Sequence, residues 1–334
     1  SLKTSIKTIT YLSDIGCLEI HGASLLQKCC RFVISLTEVN VSDKTEQGLD
    51  ALKKQLSLLP ETLSRTILNR IRQHIHYEPV IGIMGKTGSG KSSLCNALFQ
   101  QPLSPVSDVQ GCTREPLRFT LDIGGRRMTL VDLPGAGESL DYDREYRQLY
   151  KEQLPTLDLI LWVMKADDRA CATDEAFHRF LLKCGVSPGS IVFVINQADK
   201  AEPSLEWDRE VRQPSTGQLL TLTARSAAIS RQFSTPYPVH AVSAKTGYNL
   251  ARLIETMIFA LPPEASSGVF RQVREEHRTA EAESTARQDF GDQLSELFSR
   301  IVDAISLPKP IREALGTIRD GIVNAASALW HLLF

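Results

Sequence analysis

The residues with the clearest chemical potential lie in a glycine-rich segment, GKTGSGKS, at positions 85–92. The segment follows a short apolar run, VIGIM, and leads into the helix-forming residues LCNAL. It matches the pattern G-x-x-x-x-G-K-[ST], in which glycines let backbone N–H groups converge on a phosphate and the next helix adds its positive dipole end. We therefore expect Lys91 to contact the outer phosphates of a nucleotide and the Ser92 hydroxyl to bind Mg²⁺. The predicted nucleotide-contacting residues of this loop are Gly85, Lys86, Thr87, Gly88, Ser89, Gly90, Lys91, Ser92 and Ser93.

A second segment, DLPG, ends the apolar run MTLVDL and supplies a candidate metal ligand. We expect Asp132 to hold Mg²⁺ through a water molecule and the N–H of Gly135 to contact the γ-phosphate. Alone, DLPG is an ordinary strand-to-turn sequence. Its place on a second apolar strand after the phosphate loop strengthens the nucleotide hypothesis.

A hydroxyl that completes the Mg²⁺ shell is expected between these two segments. Thr113, in GCTREP, is the candidate, because it lies on the loop before the next predicted strand. Ser104 and Ser107 are nearby hydroxyls that remain alternatives. Lys91, Thr113 and Gly135 form the predicted catalytic set.

NQAD, after the apolar run IVFVI, resembles the guanine-recognition motif N-K-x-D, with Gln197 in the lysine position. A carboxylate that accepts hydrogen bonds from guanine N1 and N2 selects guanine, because adenine lacks that pair of donors. Asp199 has this role in the resemblance, and Asn196 would brace the loop. Because the apolar stem of a lysine is missing, we expect weaker affinity with guanine specificity retained.

SAKTG, residues 243–247, follows the apolar run PVHAV. It matches another guanine-binding segment of GTPases, in which a backbone N–H, here that of Ala244, meets guanine O6. Ser243 and Lys245 flank this residue in the predicted base pocket. An ATP-using enzyme is the weaker alternative, because it would leave NQAD and SAKTG unexplained.

The elements that must position these residues indicate an α/β domain. Between residues 79 and 262, short β-rich runs alternate with helical patterns, which is typical of a mainly parallel sheet with helices on both faces. The predicted strands are VIGIM, LRFTLDI, MTLVDL, LDLILWVM, IVFVIN and PVHAVS. A glycine pair after LRFTLDI predicts a hairpin. We therefore predict a P-loop nucleotide-binding domain whose sheet has six strands, one of them an antiparallel edge strand.

Residues 1–78 and 263–334 are predicted to be helical regions, and ALPPEASSG, at 260–268, is predicted to close the α/β domain. The polar stretch RQVREEHRTAEAESTARQD is predicted to be a long exposed helix or a partly disordered segment. The last helix, which ends in ALWHLLF, has one apolar face. We expect that face to pack on the N-terminal helices, with insertion into a membrane surface as the alternative.

Composition limits the partners and the compartment. The formal net charge of the 334 residues is −1, so the chain as a whole does not attract nucleic acid. No apolar run approaches the roughly 18 residues of a membrane span, and the seven cysteines show no paired spacing. We expect a cytoplasmic protein, with peripheral membrane contact left open.

Together these five segments resemble the translation-factor-related GTPases of the Era/TrmE-like branch, and most closely the bacterial, often prophage-encoded YeeP/YfjP-type group. The resemblance covers about residues 79–262. It implies binding of GTP or GDP with Mg²⁺, and hydrolysis of GTP to GDP and phosphate as a molecular switch. No G-x-x-G loop occurs in residues 263–334, so the RNA-binding KH domain of Era is not implied.

Two departures from the resemblance affect catalysis. Gly88 occupies the position of the asparagine that helps to bind potassium in the Era/TrmE-like branch, so activation by potassium is not expected. Ala136 follows DLPG where Ras-like enzymes carry the glutamine that orients the attacking water. We therefore expect slow turnover unless an activator or a second subunit supplies a group.

Two rival functions remain. Helices on both sides of the domain resemble those of dynamin-like and immunity-related GTPases, which implies a membrane-acting mechanoenzyme. Ala136 suggests a nucleotide-binding scaffold with negligible turnover. Either hypothesis is compatible with a homodimer through the GTPase domain or the helices, and with a protein effector.

Overall fold

The computed structural model describes residues 45–54, 56–57, 61–101, 117–133, 150–168, 172–303 and 309–334, with the backbone only for 301–303 and 309–315. Helical residues 45–54 precede the labelled elements. The helices are α1 (Glu61–Ile75), α2 (Lys91–Leu98), α3 (Ala172–Lys183), α4 (Thr216–Phe233), α5 (Leu250–Ala260), α6 (Pro263–Gln272), α7 (Ala280–Asp303), α8 (Lys309–Ala328) and α9 (Trp330–Leu333). The strands are β1 (Val80–Met84), β2 (Leu117–Ile123), β3 (Arg126–Asp132), β4 (Leu159–Lys165), β5 (Ile191–Asn196) and β6 (His240–Ala241).

The six strands form one sheet in the order β2-β3-β1-β4-β5-β6. All neighbouring pairs are parallel except β2 and β3, which pair antiparallel. Gly124 and Gly125 join that pair with φ of 61° and 75°, the left-handed values that a tight two-residue hairpin favours. The predicted six-stranded, mainly parallel sheet with an antiparallel edge strand is confirmed. Strand β6 is shorter than PVHAVS predicts, since only His240 and Ala241 pair with β5.

The parallel strands bring distant segments to one edge of the sheet. Carboxyl ends of parallel strands lie together, and ligands of open α/β sheets bind outside those ends. In the register, Ile83 of β1 pairs with Asp132 of β3, and Lys165 of β4 pairs with Asn196 of β5. The phosphate loop, DLPG and NQAD therefore begin next to one another.

The central strands are buried on both faces. All of β5 and all but the last residue of β4 are buried. On one face, Trp162 stacks on Phe193 with ring centroids 5.2 Å apart, and Phe193 stacks on Phe233 of α4 at 4.7 Å. Each fully buried phenylalanine contributes about 1.5–3 kcal/mol of hydrophobic stabilisation. This aromatic layer holds α4 on the sheet.

On the other face, helices from both ends of the described chain share one core with the sheet. Leu52 and Ile71 belong to the same buried cluster as Phe290 of α7 and Leu333 of α9. Gly48 lies against Leu333, because a Cβ there would be 2.7 Å from the leucine Cδ2. In the described residues, Leu333 of α9 is therefore packed against the helical residues that precede α1, whereas α8 packs on α7.

A buried arginine links the β2–β3 hairpin to these helices. The Arg126 guanidinium donates to the carbonyl oxygens of Ile75 and Leu333, the latter at 3.0 Å, and to Thr45 Oγ1 at 3.2 Å. Burial, with a smaller contribution from the charge of Arg271, lowers the pKa of Arg126 to about 10. The side chain is still protonated at neutral pH, so a charged group joins the hairpin to both sets of helices.

The segment at 260–268, predicted to close the α/β domain, is helical from Pro263, where α6 begins. Proline at a first helical position gives up no intrahelical hydrogen bond. Ser267 Oγ accepts from Trp330 Nε1 at 3.0 Å and donates to the Ala286 carbonyl oxygen at 3.0 Å. The small polar residues of this segment therefore lie inside the helical layer rather than in a loop.

The polar stretch that follows α6 continues into the long helix α7. This helix is not exposed on all sides, because one face is apolar at steps of four residues. The buried residues of that face are Ala282, Ala286, Phe290, Leu294 and Phe298. None of the described helices combines the length and the apolar character that a membrane crossing requires.

Candidate functional site

The glycine-rich segment forms a loop between the end of β1 and the start of α2. Gly85, Gly88 and Gly90 have φ of 145°, 78° and 84°, a conformation that side chains disfavour. A Cβ on Gly85 would lie 2.2 Å from the Val163 carbonyl oxygen, and one on Gly90 would lie 2.6 Å from Asn196 Nδ2. The loop therefore requires glycine both for its conformation and for close packing, as a phosphate cradle does.

Lys91 and Asp132 lie side by side at this loop. Lys91 Nζ donates to the Gly85 carbonyl oxygen at 2.9 Å and lies 3.8 Å from Asp132 Oδ1. Ser92 is exposed in the first turn of α2. A Mg²⁺-nucleotide is bound by groups of these kinds: the ammonium of Lys91 at the phosphate loop, the hydroxyl of Ser92 beside it and the carboxylate of Asp132 on the neighbouring strand. The residues present therefore fit both the nucleotide and the metal ion.

Lys86, the other lysine of the loop, is bound by two carboxylates. Its Nζ lies 2.8 Å from Asp168 Oδ2 and 3.0 Å from Asp174 Oδ2, and the Asp174 side chain is only 3% exposed. Burial alone would lower the pKa of Lys86, but the hydrogen bonds and charges of the two aspartates raise it above its ordinary value. The Lys86 side chain therefore ties the phosphate loop to Asp168, which follows β4, and to Asp174 in α3. This leaves the backbone of Lys86 for the predicted contact with the nucleotide.

Replacing Lys86 with methionine is expected to lower the free energy of unfolding by about 1–3 kcal/mol, because a buried carboxylate loses its charged partner. Chemical denaturation of the nucleotide-free protein near neutral pH measures the loss.

The matched control for this prediction is Lys183→Met, which removes an exposed lysine at the carboxyl end of α3. We expect it to change stability by less than about 0.5 kcal/mol. A loss in Lys86→Met no larger than that in Lys183→Met would contradict the role given to the Lys86–Asp174 pair.

Asn196 connects the phosphate loop to SAKTG. Its side chain is buried, and Nδ2 donates to the carbonyl oxygens of Ser89 at 3.0 Å and Gly90 at 3.3 Å. Its Oδ1 accepts from the N–H of Ala244 at 3.2 Å. One amide therefore sets the relative positions of the segments to which the sequence assigns phosphate and guanine.

Asp199 lies in the short 3₁₀ helix Ala198–Lys200 that follows β5. Ser243 Oγ donates to Asp199 Oδ1 at 2.7 Å and accepts from the N–H of Thr246 at 3.2 Å. Because Ser243 is itself fully buried, its hydroxyl fixes the orientation of the carboxylate.

These segments enclose one cleft with a cavity volume of about 150 Å³. Its lining residues are Gly90, Ser93, Asn196, Gln197, Asp199, Lys200, Ala244 and Lys245. All of them except Lys200 are site residues predicted from the sequence. Two other predicted residues, Thr113 and Gly135, lie outside the described residues.

Sequence reasoning missed three charged residues at the site. Lys200 could have been predicted from the sequence, since it directly follows Asp199, the carboxylate expected to bind guanine. Asp168 and Asp174 had none, because their contacts with Lys86 depend on how β4 and α3 pack beside the phosphate loop.

Comparisons with known proteins give a family model, two sequence relatives and a solved structure. A family model described as 50S ribosome-binding GTPase matches residues 80–197. The Escherichia coli (strain K12) protein YfjP is 46% identical over 291 residues, which cover 87% of this chain and 100% of YfjP. YkfA of the same strain is 44% identical over 288 residues, 86% of this chain and 99% of YkfA. A solved structure of Era in complex with MgGDPNP and nucleotides 1506–1542 of 16S ribosomal RNA is 24% identical, with a TM-score of 0.39, over 56% of this chain and 58% of that chain.

The identity to YfjP and YkfA extends over nearly the whole of both relatives, whereas the family model covers the part of the chain that holds the phosphate loop, DLPG and the start of NQAD. The full-length relatives therefore define the family, and the matched model defines its nucleotide-binding domain. The chain belongs to the Era-like P-loop GTPases, in one family with YfjP and YkfA.

Proposed function

We propose that this chain binds GTP with Mg²⁺, hydrolyses it to GDP and phosphate, and acts as a molecular switch. The observation that carries the proposal is the Asn196 amide, which binds the phosphate loop on one side and SAKTG on the other. A phosphate cradle and a base pocket held together at one cleft are what a nucleoside triphosphate requires.

Lys91, Ser92 and Asp132 are the proposed phosphate and metal residues. Lys91 would move from the Gly85 carbonyl oxygen to the outer phosphates, where an ammonium stabilises developing negative charge. Ser92 and, through water, Asp132 would hold Mg²⁺. When bound, Mg²⁺ neutralises charge on the β- and γ-phosphates.

Thr113 and Gly135 are the proposed sensors of the γ-phosphate. They lie in the segments before β2 and after β3, so the β2–β3 hairpin connects them. Loops that are ordered by the γ-phosphate and released after hydrolysis are a common switching device. A change in these loops could also reach the helices, because Arg126 of the same hairpin donates to the carbonyl oxygens of Ile75 in α1 and Leu333 in α9.

Guanine recognition is proposed for Asp199 and for the backbone of SAKTG. The carboxylate of Asp199 would accept from guanine N1 and N2. In the structure the N–H of Ala244 donates to Asn196 Oδ1. Guanine O6 would therefore share this N–H in a three-centre hydrogen bond.

We expect slow turnover that depends on Mg²⁺. The rate at low protein concentration should be on the order of 10⁻⁴ per second or slower, because no glutamine follows DLPG to orient water. Chelation of Mg²⁺ should abolish turnover. Release of phosphate from GTP and from ATP, measured over a series of protein concentrations in sodium and then in potassium salts, with and without liposomes, tests these points.

The outcomes of this experiment separate the remaining proposals. A specific rate that rises with concentration supports a homodimer in which one subunit completes the site of the other, and a flat rate supports an external activator or effector. Stimulation by liposomes would favour the membrane-acting mechanoenzyme. Tight GTP binding without turnover would favour the scaffold. Equal use of ATP would overturn the proposed function, and faster turnover in potassium would contradict the role inferred from Gly88.

We further propose that residues 79–262 act as the GTPase domain and that residues 1–78 and 263–334 form one helical domain. In support, described helices from both flanking regions share a core, and Arg126 binds carbonyl oxygens in both. A change in the β2–β3 hairpin would therefore alter contacts with both regions.

A further inference from the structure

Gln197 stands in the position where the guanine motif N-K-x-D has lysine, and its amide makes two contacts. Nε2 donates to the carbonyl oxygen of Gly88 in the phosphate loop at 2.8 Å. Oε1 accepts from the ammonium of Lys200 at 2.9 Å. The side chain therefore bridges the phosphate loop and a cation, although it carries no charge.

Lys200 is positioned to make this contact by the turn that it ends. Its backbone N–H donates to the Gln197 carbonyl oxygen at 2.9 Å, which closes the 3₁₀ turn containing Asp199. The turn brings the two side chains to the same side of the cleft, and both line it. The cleft also holds Lys245, so two ammonium groups and one carboxylate line it.

The contact of Lys200 fixes which way the Gln197 amide points. A carboxamide presents a donor at one end and an acceptor at the other, and half a turn exchanges them. With an ammonium at Oε1, only one orientation satisfies both neighbours, and that orientation aims Nε2 at Gly88. In the other orientation two oxygens would face each other at the phosphate loop.

The Gly88 carbonyl matters because a trans peptide unit directs its C=O and N–H to opposite sides. The N–H of the next residue, Ser89, donates to the Lys86 carbonyl oxygen at 3.1 Å. Gln197 on one side and Lys86 on the other therefore hold the same peptide plane. The following carbonyls, of Ser89 and Gly90, are held by Asn196, so two neighbouring amides hold three consecutive peptide units of the loop.

We propose that Gln197 and Lys200 act as one positioning unit that replaces the lysine of the motif. Gln197 holds the phosphate loop in its binding conformation, and Lys200 holds the Gln197 amide and places its positive charge at the cleft. This inference rests on the proposed function, because the quantity it controls is the affinity for GTP.

The test is a set of variants whose GTP dissociation constants and dissociation rates are measured with a fluorescent GTP analogue and Mg²⁺. Lys200→Met should weaken binding about three- to tenfold, the loss of one hydrogen bond to a charged group at a partly exposed site. Lys200→Arg keeps the donor and should stay within about twofold of the unchanged protein. Gln197→Lys combined with Lys200→Met should restore most of the affinity, because a lysine donates to the Gly88 carbonyl in any orientation.

Gln197→Lys also adds a positive charge, so a control must measure charge alone. Lys245→Met removes another cation of the same cleft without touching the amide of Gln197. Adding Gln197→Lys to Lys245→Met measures how much GTP affinity rises through charge alone. Adding Gln197→Lys to Lys200→Met should raise GTP affinity by a larger factor. The thermal midpoint of the nucleotide-free protein should not change in Lys200→Met, because Lys200 is exposed.

Unchanged GTP affinity in Lys200→Met would overturn the inference. Equal gains from Gln197→Lys in the two backgrounds would also overturn it, since the lysine would then act through charge only. Failure of the proposed function would look different, because the unchanged protein would then bind GTP no better than ATP.

Discussion

Replacing Lys91 with alanine is expected to weaken GTP binding by about 10² to 10³-fold and to abolish hydrolysis. Its side chain is only 15% exposed and lies between the phosphate loop and Asp132. Loss of one partner from a desolvated, hydrogen-bonded charge pair costs about 2–5 kcal/mol. In the Lys91→Ala variant the triphosphate would also face Asp132 without an intervening cation, which adds repulsion to the lost attraction.

Titration of the nucleotide-free variant with GTP, followed by calorimetry or by fluorescence of an analogue, measures the change. Lys183→Ala is the matched control, because it removes a lysine from the end of α3 away from the carboxyl edge of the sheet. Unchanged GTP affinity in Lys91→Ala, with the control also unchanged, would refute the assignment of the phosphate loop. A thermal midpoint close to that of the unchanged protein shows that the loss is not due to unfolding.

Most of the sheet could be predicted because its strands are buried on both faces. VIGIM and IVFVIN coincide with β1 and β5, whose residues have almost no exposed side to interrupt the apolar run. The same argument fails at β6, where only His240 and Ala241 have register partners in β5, although Val242 is buried and its N–H donates to the Ile195 carbonyl oxygen at 2.7 Å. A pattern of apolar residues therefore predicts the position of a buried strand better than it predicts the residue at which the strand ends.

The motifs predicted which segments meet, but not what each side chain touches. Spacing in the sequence assigned Lys86 to the nucleotide, and the fold pairs it with Asp168 and Asp174. The resemblance assigned the N–H of Ala244 to guanine, and the structure gives it to Asn196. Such contacts depend on the packing of elements that are far apart along the chain, and no local pattern carries that information.

The helix at Pro263 was missed for a related reason. Two prolines and a run of small polar residues are typical of a turn. Here the small side chains allow close approach instead, since a Cβ on Gly268 would lie 2.9 Å from Pro79 Cγ. Composition alone does not distinguish a flexible turn from a tightly packed helix.

Replacing Asp199 with asparagine is expected to invert the base preference of the site. The GTP dissociation constant should rise about 10² to 10³-fold, because two hydrogen bonds to a charged acceptor, each worth about 1.5–3 kcal/mol, are lost or reversed. Xanthosine triphosphate should gain affinity, since xanthine carries an oxygen where guanine carries its N2 amine. Competition of both nucleotides against a fluorescent GTP analogue measures the inversion, with Asp292→Asn, at an exposed position of α7, as the control.

The inversion depends on how the substituted amide is oriented, and Ser243 determines that. Its hydroxyl donates at 2.7 Å to Oδ1 of Asp199, so the oxygen of the new amide should stay there and its NH₂ group should face the base. That NH₂ group can donate to an oxygen of xanthine but opposes the N2 amine of guanine. Adding Ser243→Ala should therefore reduce the preference for xanthine, because the amide is then free to turn. An Asp199→Asn protein that still prefers GTP over xanthosine triphosphate, or that never distinguished GTP from ATP, would show that the cleft does not read guanine through this carboxylate.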